Sequence, residues 1–263
     1  MIQPPAPTLL GVSLKMYFGH AQTVSWCREV ARMAADHPAL RSGETTLFIL
    51  PSFPALVPAG QAFAGGPVQL GAQDLHWEDM GPFTGEVSGA QLHEAGCRYV
   101  EVGHAERRLL FGEDDRAVAA KTVAAQRNSL IPVICVGEEQ RLPAEAAAEA
   151  CTAQLAAAVA EGNRQAPIVV AYEPVWAIGS REPASTGHIR TVCARLKTWL
   201  AASGGFAEYR VIYGGSAGPG LLTRLGPEVD GLFLGRFAHD VGALSGILAE
   251  AAARGTNDAA TGK

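Results

Sequence analysis

Eight short apolar runs divide the chain into repeated units, and each run ends in polar or glycine-rich residues before a longer helix-forming stretch. Several runs are apolar at consecutive positions rather than at alternate ones, which indicates strands covered by helices on both faces of a parallel sheet. Eight strand–helix units with no linker between them predict a closed (β/α)8 barrel. The predicted strands are residues 8–14, 46–51, 68–75, 99–104, 131–137, 168–174, 209–215 and 231–236.

The stretches between the strands are rich in good helix formers. Residues 23–36 and 143–160 are examples, and Pro143 suits the first turn of its helix. Barrels of this kind occupy about 250 residues, so the sequence predicts one barrel domain over residues 1–254, followed by a flexible polar tail at 255–263. An open, doubly wound α/β sheet has similar contents and is the alternative architecture.

The composition excludes several classes of function. With 48% hydrophobic residues, the chain has ample material for a packed core. The formal net charge of -5 argues against a surface for nucleic acid or an anionic membrane. No basic region followed by an apolar stretch marks a signal peptide, and no apolar run approaches the roughly 20 residues of a membrane span. The 5 cysteines are scattered without a CxxC pair, as in reduced proteins, so we expect a cytoplasmic protein.

In a (β/α)8 barrel, the active site lies at the carboxyl ends of the strands, in the loops that lead into the helices. Candidate functional residues are therefore those that close each apolar run. The segments concerned are 13–15, 73–86, 104–106, 173–184, 214–216 and 235–236.

Glu173 closes the sixth apolar run, and Pro174 follows it at once. A carboxylate partly shielded by apolar neighbours is suited to proton abstraction. A glutamate that faces water or pairs with a helix is the more common case for an isolated residue. The loop that follows begins with four apolar residues, 175–178, which is unusual for an exposed connection. This pattern favours a lid that closes over a bound substrate.

His104 ends the fourth run at the start of a predicted helix, where the helix dipole favours a neutral imidazole. A neutral imidazole can donate a hydrogen bond to a carbonyl and stabilise a developing enediolate. A capping or packing role is the alternative for a single histidine. Lys15 follows the first run, beside Met16 and Tyr17. It is either an edge lysine with a buried stem or a source of positive charge for an anionic substrate.

Glycines follow the last two apolar runs, at Gly214, Gly215 and Gly235, and Ser216 comes directly after the first pair. The loops after these two strands form phosphate sites in many barrels, where glycines let backbone N–H groups approach the phosphate oxygens. A lone glycine pair is more often a turn. The combination after both strands predicts a phosphate site.

Five segments of the chain resemble the signature sequences of the triosephosphate isomerase family. They occur in the family's order and at the expected strand ends, and the likeness covers essentially the whole barrel. The segments are GAQDLHWEDMGPFTGEVS (71–88), YVEVGHAERR (99–108), CVGE (135–138), AYEPVWAIG (171–179) and YGGS (213–216). The resemblance implies an isomerase that acts on a small phosphorylated sugar, and we expect neither a metal nor a cofactor.

The resemblance also implies a role for each candidate catalytic residue. Glu173 corresponds to the family's base, His104 to its electrophile and Lys15 to its cation. Glu106 corresponds to the partner that holds Lys15.

Further implications concern the phosphate and a second subunit. The resemblance places backbone donors to phosphate at Gly179, Ser216 and Gly235. It also implies a homo-oligomer, most simply a dimer, in which loop 73–87 plugs into the other subunit and Thr84 lies near the neighbour's active site. The loop is too apolar to sit exposed on a monomer, because it contains Leu75, Trp77, Met80, Pro82 and Phe83.

The chain departs from the family pattern at four places, all in the predicted site. Ser13 and Leu14 stand where the family has Asn-Trp before its lysine, and Ala105 replaces the serine after the histidine. The lid ends in Ser-Arg-Glu-Pro-Ala at 180–184 instead of Thr-Gly-Lys-Thr/Pro-Ala. Arg236 replaces the second glycine after the last run. We count Ser13, Ala105 and Arg236 among the substrate-binding residues.

The changes at Ser13 and Ala105 remove volume and polar contacts, which makes room for a substrate one hydroxymethyl group longer than a triose. The favoured substrate is a tetrulose phosphate, with L-erythrulose 1-phosphate converted to D-erythrulose 4-phosphate through the same cis-enediol. The segments SLKMYF and GLFLGRFAHD look similar to a branch of the family that acts on erythrulose phosphates.

Two other functions stay open. The first is an ordinary triosephosphate isomerase of glycolysis, which interconverts dihydroxyacetone phosphate and D-glyceraldehyde 3-phosphate. The second is a barrel that has lost catalysis and serves as a binding or regulatory protein. The joint presence of Lys15, His104, Glu106 and Glu173 argues against the second.

Overall fold

The chain folds into a closed barrel of eight parallel strands, in a computed structural model that describes residues 7–204 and 206–261. Each strand pairs with the next along the chain, and the last pairs with the first. The predicted (β/α)8 barrel is therefore confirmed, and the open sheet is excluded. The strands are β1 (Thr8–Ser13), β2 (Thr45–Leu50), β3 (Val68–Ala72), β4 (Tyr99–Val102), β5 (Ile131–Val136), β6 (Ile168–Tyr172), β7 (Tyr209–Tyr213) and β8 (Gly231–Leu234).

Ten α-helices connect the strands in the part of the chain that the structure describes. They are α1 (His20–Ala35), α2 (Pro38–Arg41), α3 (Leu56–Phe63), α4 (Gly89–Glu94), α5 (Ala105–Phe111), α6 (Asp115–Arg127), α7 (Ala144–Ala158), α8 (Thr186–Ala202), α9 (Leu221–Arg224) and α10 (Val241–Thr261). Short 3-10 helices lie at Phe53–Ala55, Val175–Ala177 and Arg236–His239. No helix among the described residues is long and apolar enough to cross a membrane.

Each strand ends one to three residues before the end of the apolar run that predicts it. At β4, Gly103 has a positive φ of 71°, which turns the chain out of the strand, and His104 then caps α5. At the C-terminal end, α10 continues to Thr261 and so includes most of the segment 255–263 that the sequence assigns to a tail. Residues 262–263 lie outside the described part of the chain.

Alternate strand residues point into the barrel, where they form a core separate from the layer between strands and helices. The inner core consists of Leu9, Phe48, Leu50, Tyr99, Val133, Cys135, Val169, Ala171, Ile212 and Phe233. Phe48 stacks on Tyr99, with ring centroids 4.3 Å apart, and lies 6.1 Å from Phe233. Gly11 permits this stack, because a Cβ atom there would lie 2.2 Å from the Phe48 ring.

All 5 cysteines are buried free thiols, as the sequence predicts. Burial raises the pKa of Cys27 and of Cys97 to about 12, so neither is a reactive thiolate near neutral pH. Their role is apolar packing.

Candidate active site

The carboxyl ends of the strands surround a cavity of about 610 Å³. Loops after β1, β4, β6, β7 and β8 contribute to its wall. Nine of the ten predicted site residues line it, namely Ser13, Lys15, His104, Glu106, Glu173, Gly179, Ser216, Gly235 and Arg236. The barrel thus gathers into one place residues that lie more than 200 positions apart in the sequence.

Ala105 is the predicted site residue that the structure places elsewhere. It lines a second cavity, of about 540 Å³, together with Gly137 and Val175. Glu173 lines both cavities and separates them. Ala105 therefore lies behind Glu173 as seen from the first cavity, and not beside Ser13.

A backbone hydrogen bond determines how the two ring nitrogens of His104 are used. As the N-cap of α5, its Nδ1 accepts from the backbone N–H of Glu106 at 3.1 Å. Because Nδ1 accepts, the ring hydrogen lies on Nε2. Nε2 faces Lys15 Nζ at 3.3 Å and Glu173 Oε2 at 3.4 Å. A buried imidazole that presents Nε2–H is a donor for a substrate oxygen.

Lys15 stands at the centre of the charged groups in the cavity. Its Nζ donates to Glu106 Oε1 at 2.7 Å. Burial alone lowers the pKa of Lys15, but the carboxylates of Glu173, Glu106 and Glu101 outweigh burial and hold this pKa above its ordinary value. The backbone of Lys15 has a φ of 48°, a conformation that costs a non-glycine residue on the order of 1–3 kcal/mol and is found mainly at functional sites. The ammonium group is therefore a fixed positive charge.

Glu173 follows β6 and is only 6% exposed. Its Oε2 atom is buried and accepts no hydrogen bond from the residues that the structure describes. Gly214 leaves room for it, because a Cβ atom at that position would lie 2.5 Å from Glu173 Oε1. A buried carboxylate oxygen with no partner, close to an imidazole donor, is placed to take a proton from a molecule in the cavity.

The predicted lid, loop 175–184, is hydrogen bonded to the loops after β7 and β8. The Ser216 hydroxyl donates to the carbonyl oxygens of Ala177 at 2.8 Å and Ser180 at 3.0 Å. Arg236 Nη2 donates to the carbonyl of Gly179 at 3.3 Å. Ser216 and Arg236 therefore both hold the backbone of this loop, Arg236 at the residue directly before the departure at 180–184.

The contacts of Trp176 explain the apolar residues at the start of the predicted lid. Trp176 Nε1 donates to Glu138 Oε1 at 2.8 Å, and the guanidinium of Arg141 lies 4.5 Å from the centre of the indole ring. Glu138 is 3% exposed and also accepts from the Tyr172 hydroxyl. The lid thus packs its first turn against a buried carboxylate.

The family model described as triosephosphate isomerase matches residues 8–251. The chain belongs to the triosephosphate isomerase family. It is an isomerase, an intramolecular oxidoreductase, which confirms the resemblance carried by the signature segments.

Individual relatives fall into two groups by name. An L-erythrulose-1-phosphate isomerase from Pectobacterium atrosepticum is 58% identical over 245 residues, which cover 92% of this chain and 95% of that protein. A triosephosphate isomerase from Synechococcus sp. is 35% identical over 236 residues, covering 89% and 93%. The crystal structure of triosephosphate isomerase from Bartonella henselae has a TM-score of 0.79 and 26% sequence identity, covering 94% of this chain and 99% of that one.

Glu101 also belongs to the site, although it is not among the residues predicted from the sequence. It is 3% exposed and lies on β4 among apolar neighbours. Its Oε2 accepts from the Ser13 hydroxyl at 2.9 Å, and its Oε1 lies 3.9 Å from His104 Nε2. A single acid within a strand buried on both faces is the signal that could have revealed it. Burial raises the pKa of Glu101 to about 7, with repulsion from Glu173 opposed by His104 and Lys15.

Glu101, His104 and Glu173 bring ligand atoms within 4.8 Å of one another, a spacing that could hold a metal ion. The hydrogen bonding of His104 does not suit that role. Since Nδ1 accepts from a backbone N–H, Nε2 carries the ring hydrogen and has no lone pair to offer a metal. The group fits proton transfer better than metal binding.

The raised pKa of Glu101 predicts a pH-dependent effect of Glu101→Gln on stability. The unfolded chain loses this proton near pH 4.5, whereas the folded protein keeps it to about pH 7. Folding stability therefore falls as pH rises through this window and is level above it. Glutamine does not titrate. The free energy of unfolding of Glu101→Gln, relative to wild type, should therefore rise by about 2 kcal/mol between pH 5.5 and pH 8.5.

Urea unfolding of both proteins at the two pH values, at equal concentration, measures this difference. Glu29→Gln, on the exposed face of α1, is the matched control. A Glu101→Gln effect of the same size at both pH values would contradict the assignment of a proton to this carboxyl group.

Proposed function

We propose that this isomerase interconverts L-erythrulose 1-phosphate and D-erythrulose 4-phosphate by proton transfer through a cis-enediolate. The observation that carries the proton-transfer chemistry is the convergence of Glu173, His104 and Lys15 on one cavity. The choice of a tetrulose phosphate is supported by the name of the relative that is 58% identical over most of both chains.

In the proposed reaction, Glu173 removes the proton from the carbon that bears the hydroxyl group next to the carbonyl. The bonding electrons move into a carbon–carbon double bond, and the carbonyl oxygen becomes anionic. His104 Nε2–H donates to that oxygen, and Lys15 balances its charge. Glu173 then returns its proton to the former carbonyl carbon. The hydroxyl proton on the neighbouring carbon passes to the anionic oxygen as the new carbonyl forms, so no atom or electron is gained or lost.

The phosphate is assigned to the far side of the cavity. Gly179, Ser216 and Gly235 supply backbone N–H groups there, and the Arg236 guanidinium adds positive charge. These residues line the same cavity as Glu173. A phosphate held between the lid and the loops after β7 and β8 places the reacting carbons near Glu173 and His104.

An ordinary triosephosphate isomerase is the second candidate. It is favoured by the family model and by the 35% identical relative from Synechococcus. The two candidates share their mechanism and differ only in whether a hydroxymethyl group extends past the reacting carbons. Ser13, at the cavity wall, and Ala105, behind Glu173, are the positions that we expect to decide between them.

Replacing the base tests the mechanism. Glu173→Gln should lower kcat by a factor of at least about 10² and leave phosphoglycolate binding nearly unchanged, because it removes the proton acceptor but keeps the shape. The measurements are turnover and entry of deuterium from heavy water at the carbon next to the carbonyl. Glu208→Gln, beside the start of β7, is the control. A variant that keeps most of its kcat would show that another group is the base.

Substrate length is tested by comparing kcat/KM on L-erythrulose 1-phosphate and on dihydroxyacetone phosphate. Wild type should prefer the tetrulose phosphate. Restoring the family residues with Ser13→Asn and Ala105→Ser should shift the ratio toward the triose by roughly 10- to 200-fold, the range that one methylene group can supply. The two single variants separate the effect of the cavity wall, at Ser13, from the effect of the region behind Glu173, at Ala105. A wild-type preference for the triose phosphate, unchanged in the double variant, would support the second candidate.

We also propose that two copies of the chain assemble through loop 73–87. Met80 is 87% exposed, and Trp77 and Phe83 are 40% and 38% exposed. Thr84 is exposed beside them. Leu75 is an exception to the expected pattern, because it is already buried within its own chain.

The surroundings of the loop support a second copy as its partner. The side chain of Gln73, at the base of the loop, donates to the carbonyl of Lys15 at 3.0 Å. Met16, the next residue, is 92% exposed, and Leu109 on α5 is 80% exposed. Apolar side chains on three neighbouring segments thus lack cover within one chain.

Wild type should therefore have the mass of a dimer at micromolar concentration, and Met80→Asp should shift it toward the monomer and reduce kcat/KM. Sedimentation equilibrium measures the mass. Val57→Asp, at an exposed position on α3, is the matched control and should stay dimeric. A fully active wild-type monomer would remove the proposal.

A further inference from the structure

Ser13 and Glu101 form a hydrogen-bonded pair at the wall of the cavity. The Ser13 hydroxyl donates to Glu101 Oε2 at 2.9 Å, and it makes no other hydrogen bond among the described residues. Ser13 lines the cavity, whereas Glu101 lies behind it within the barrel. The hydroxyl hydrogen is thus directed away from the cavity, and the oxygen keeps its lone pairs for another partner.

The surroundings of Glu101 favour this direction of the Ser13–Glu101 hydrogen bond. Glu101 Oε1 lies 3.9 Å from the Cys135 thiol, which donates weakly to it. The two carboxylate oxygens thus face donors on different strands, Ser13 on β1 across the barrel and Cys135 on the adjacent β5. The pKa of Glu101 in the folded protein is about 7, so above that pH the group is an ionised carboxylate. An ionised carboxylate can only accept, so Ser13 then donates to it.

The consequence is a change of chemistry at position 13. The family's asparagine carries two N–H donors and an acceptor oxygen. Ser13, with its hydrogen given to Glu101, offers only an acceptor to a molecule in the cavity. This site prefers a group that donates, such as an alcohol, and disfavours an aldehyde oxygen.

The two candidate substrates differ in this respect. In a tetrulose phosphate, the carbon beyond the reacting pair carries an alcohol in the substrate and in the product alike. In a triose phosphate, the terminal carbon is itself a reacting carbon, and its oxygen alternates between an alcohol and an aldehyde. Only the longer substrate has a terminal donor that persists through the reaction.

We propose that Glu101 is a specificity-determining positioning residue, which takes the Ser13 hydroxyl hydrogen and so makes Ser13 an acceptor for the terminal hydroxyl of a four-carbon ketose phosphate. The proposal rests on the proposed function, since it names the group of that substrate which this part of the cavity recognises. A buried carboxylate is unfavourable for folding unless its hydrogen bonds compensate. Glu101 contacts Ser13, which lines the cavity, so its charge can orient a group that meets the substrate.

The test compares L-erythrulose 1-phosphate with its 4-deoxy analogue, which keeps the carbon skeleton but lacks the terminal hydroxyl. At pH 8.5, where Glu101 is ionised, wild type should favour the hydroxylated compound. In Ser13→Ala and in Glu101→Leu, the ratio of kcat/KM for the two compounds should fall by about 10-fold, which is the range of one hydrogen bond. The loss should appear mainly in KM, because the terminal hydroxyl is the same in ground state and transition state.

A double variant with both changes should lose no more than either single variant, because the two residues act as one unit. Tyr99→Phe, one layer deeper on β4, is the control and should keep the wild-type ratio. Urea unfolding checks that each variant is folded. If Glu101→Leu does not fold, Ser13→Ala and the rescuing variant Glu101→Asp carry the test.

The outcomes separate the two proposals. A wild type that prefers dihydroxyacetone phosphate to L-erythrulose 1-phosphate overturns the proposed function and this inference with it. A wild type that prefers the tetrulose phosphate, with variants that lose activity equally on the hydroxylated and deoxy compounds, overturns the role of Glu101 alone. An unchanged ratio in Ser13→Ala does the same.

Discussion

Closure of the eight strands sets the position of every polar group in the cavity. In a closed parallel barrel, alternate residues point inward, and the last inward residue of each strand reaches the same end. Ser13 on β1, Glu101 on β4 and Cys135 on β5 meet in this way, and Glu173 follows β6 directly. The aromatic stack around Phe48 fills the barrel below them. A rigid apolar core thus holds groups whose mutual distances matter to a fraction of an ångström.

The charges gathered at this end explain why local contacts matter more than the overall charge of the protein. Three carboxylates, Glu101, Glu106 and Glu173, surround the ammonium of Lys15, which they hold in its charged form. An anionic substrate entering this group meets a cation that already has partners. In the proposed function, the phosphate therefore binds to donors on the other side of the cavity, where Arg236 and the backbone of loop 175–184 lie. Different groups then hold the proposed reacting end and the proposed phosphate end.

The sequence was sufficient for the architecture and for most of the site, for physical reasons. Fully apolar runs specify strands covered on both faces, and barrel topology then brings their ends together, so Lys15, His104 and Glu173 could be grouped without coordinates. The sequence pattern could not show which cavity a loop residue lines. Ala105 follows His104 directly, yet the first turn of α5 places it in the cavity behind Glu173. Glu101 was missed because an inward position on β4 becomes a functional one only when its partner, Ser13, is known.

The two substitutions that we propose to set substrate length, Ser13 and Ala105, line different cavities that share Glu173. Ser13 changes the hydrogen-bonding character of the wall, through a carboxylate that the substrate does not touch. Ala105 leaves open space behind Glu173, whose Oε2 accepts no hydrogen bond from the described residues. In the proposed function, the first change bears on what the end of the substrate must donate, and the second on the space around the Glu173 carboxylate. The proposed longer substrate uses both, because its extra carbon takes up room beside Glu173 and its hydroxyl needs an acceptor. Neither effect requires a new catalytic group, so the chemistry of the family can be kept while the chain length of the substrate changes.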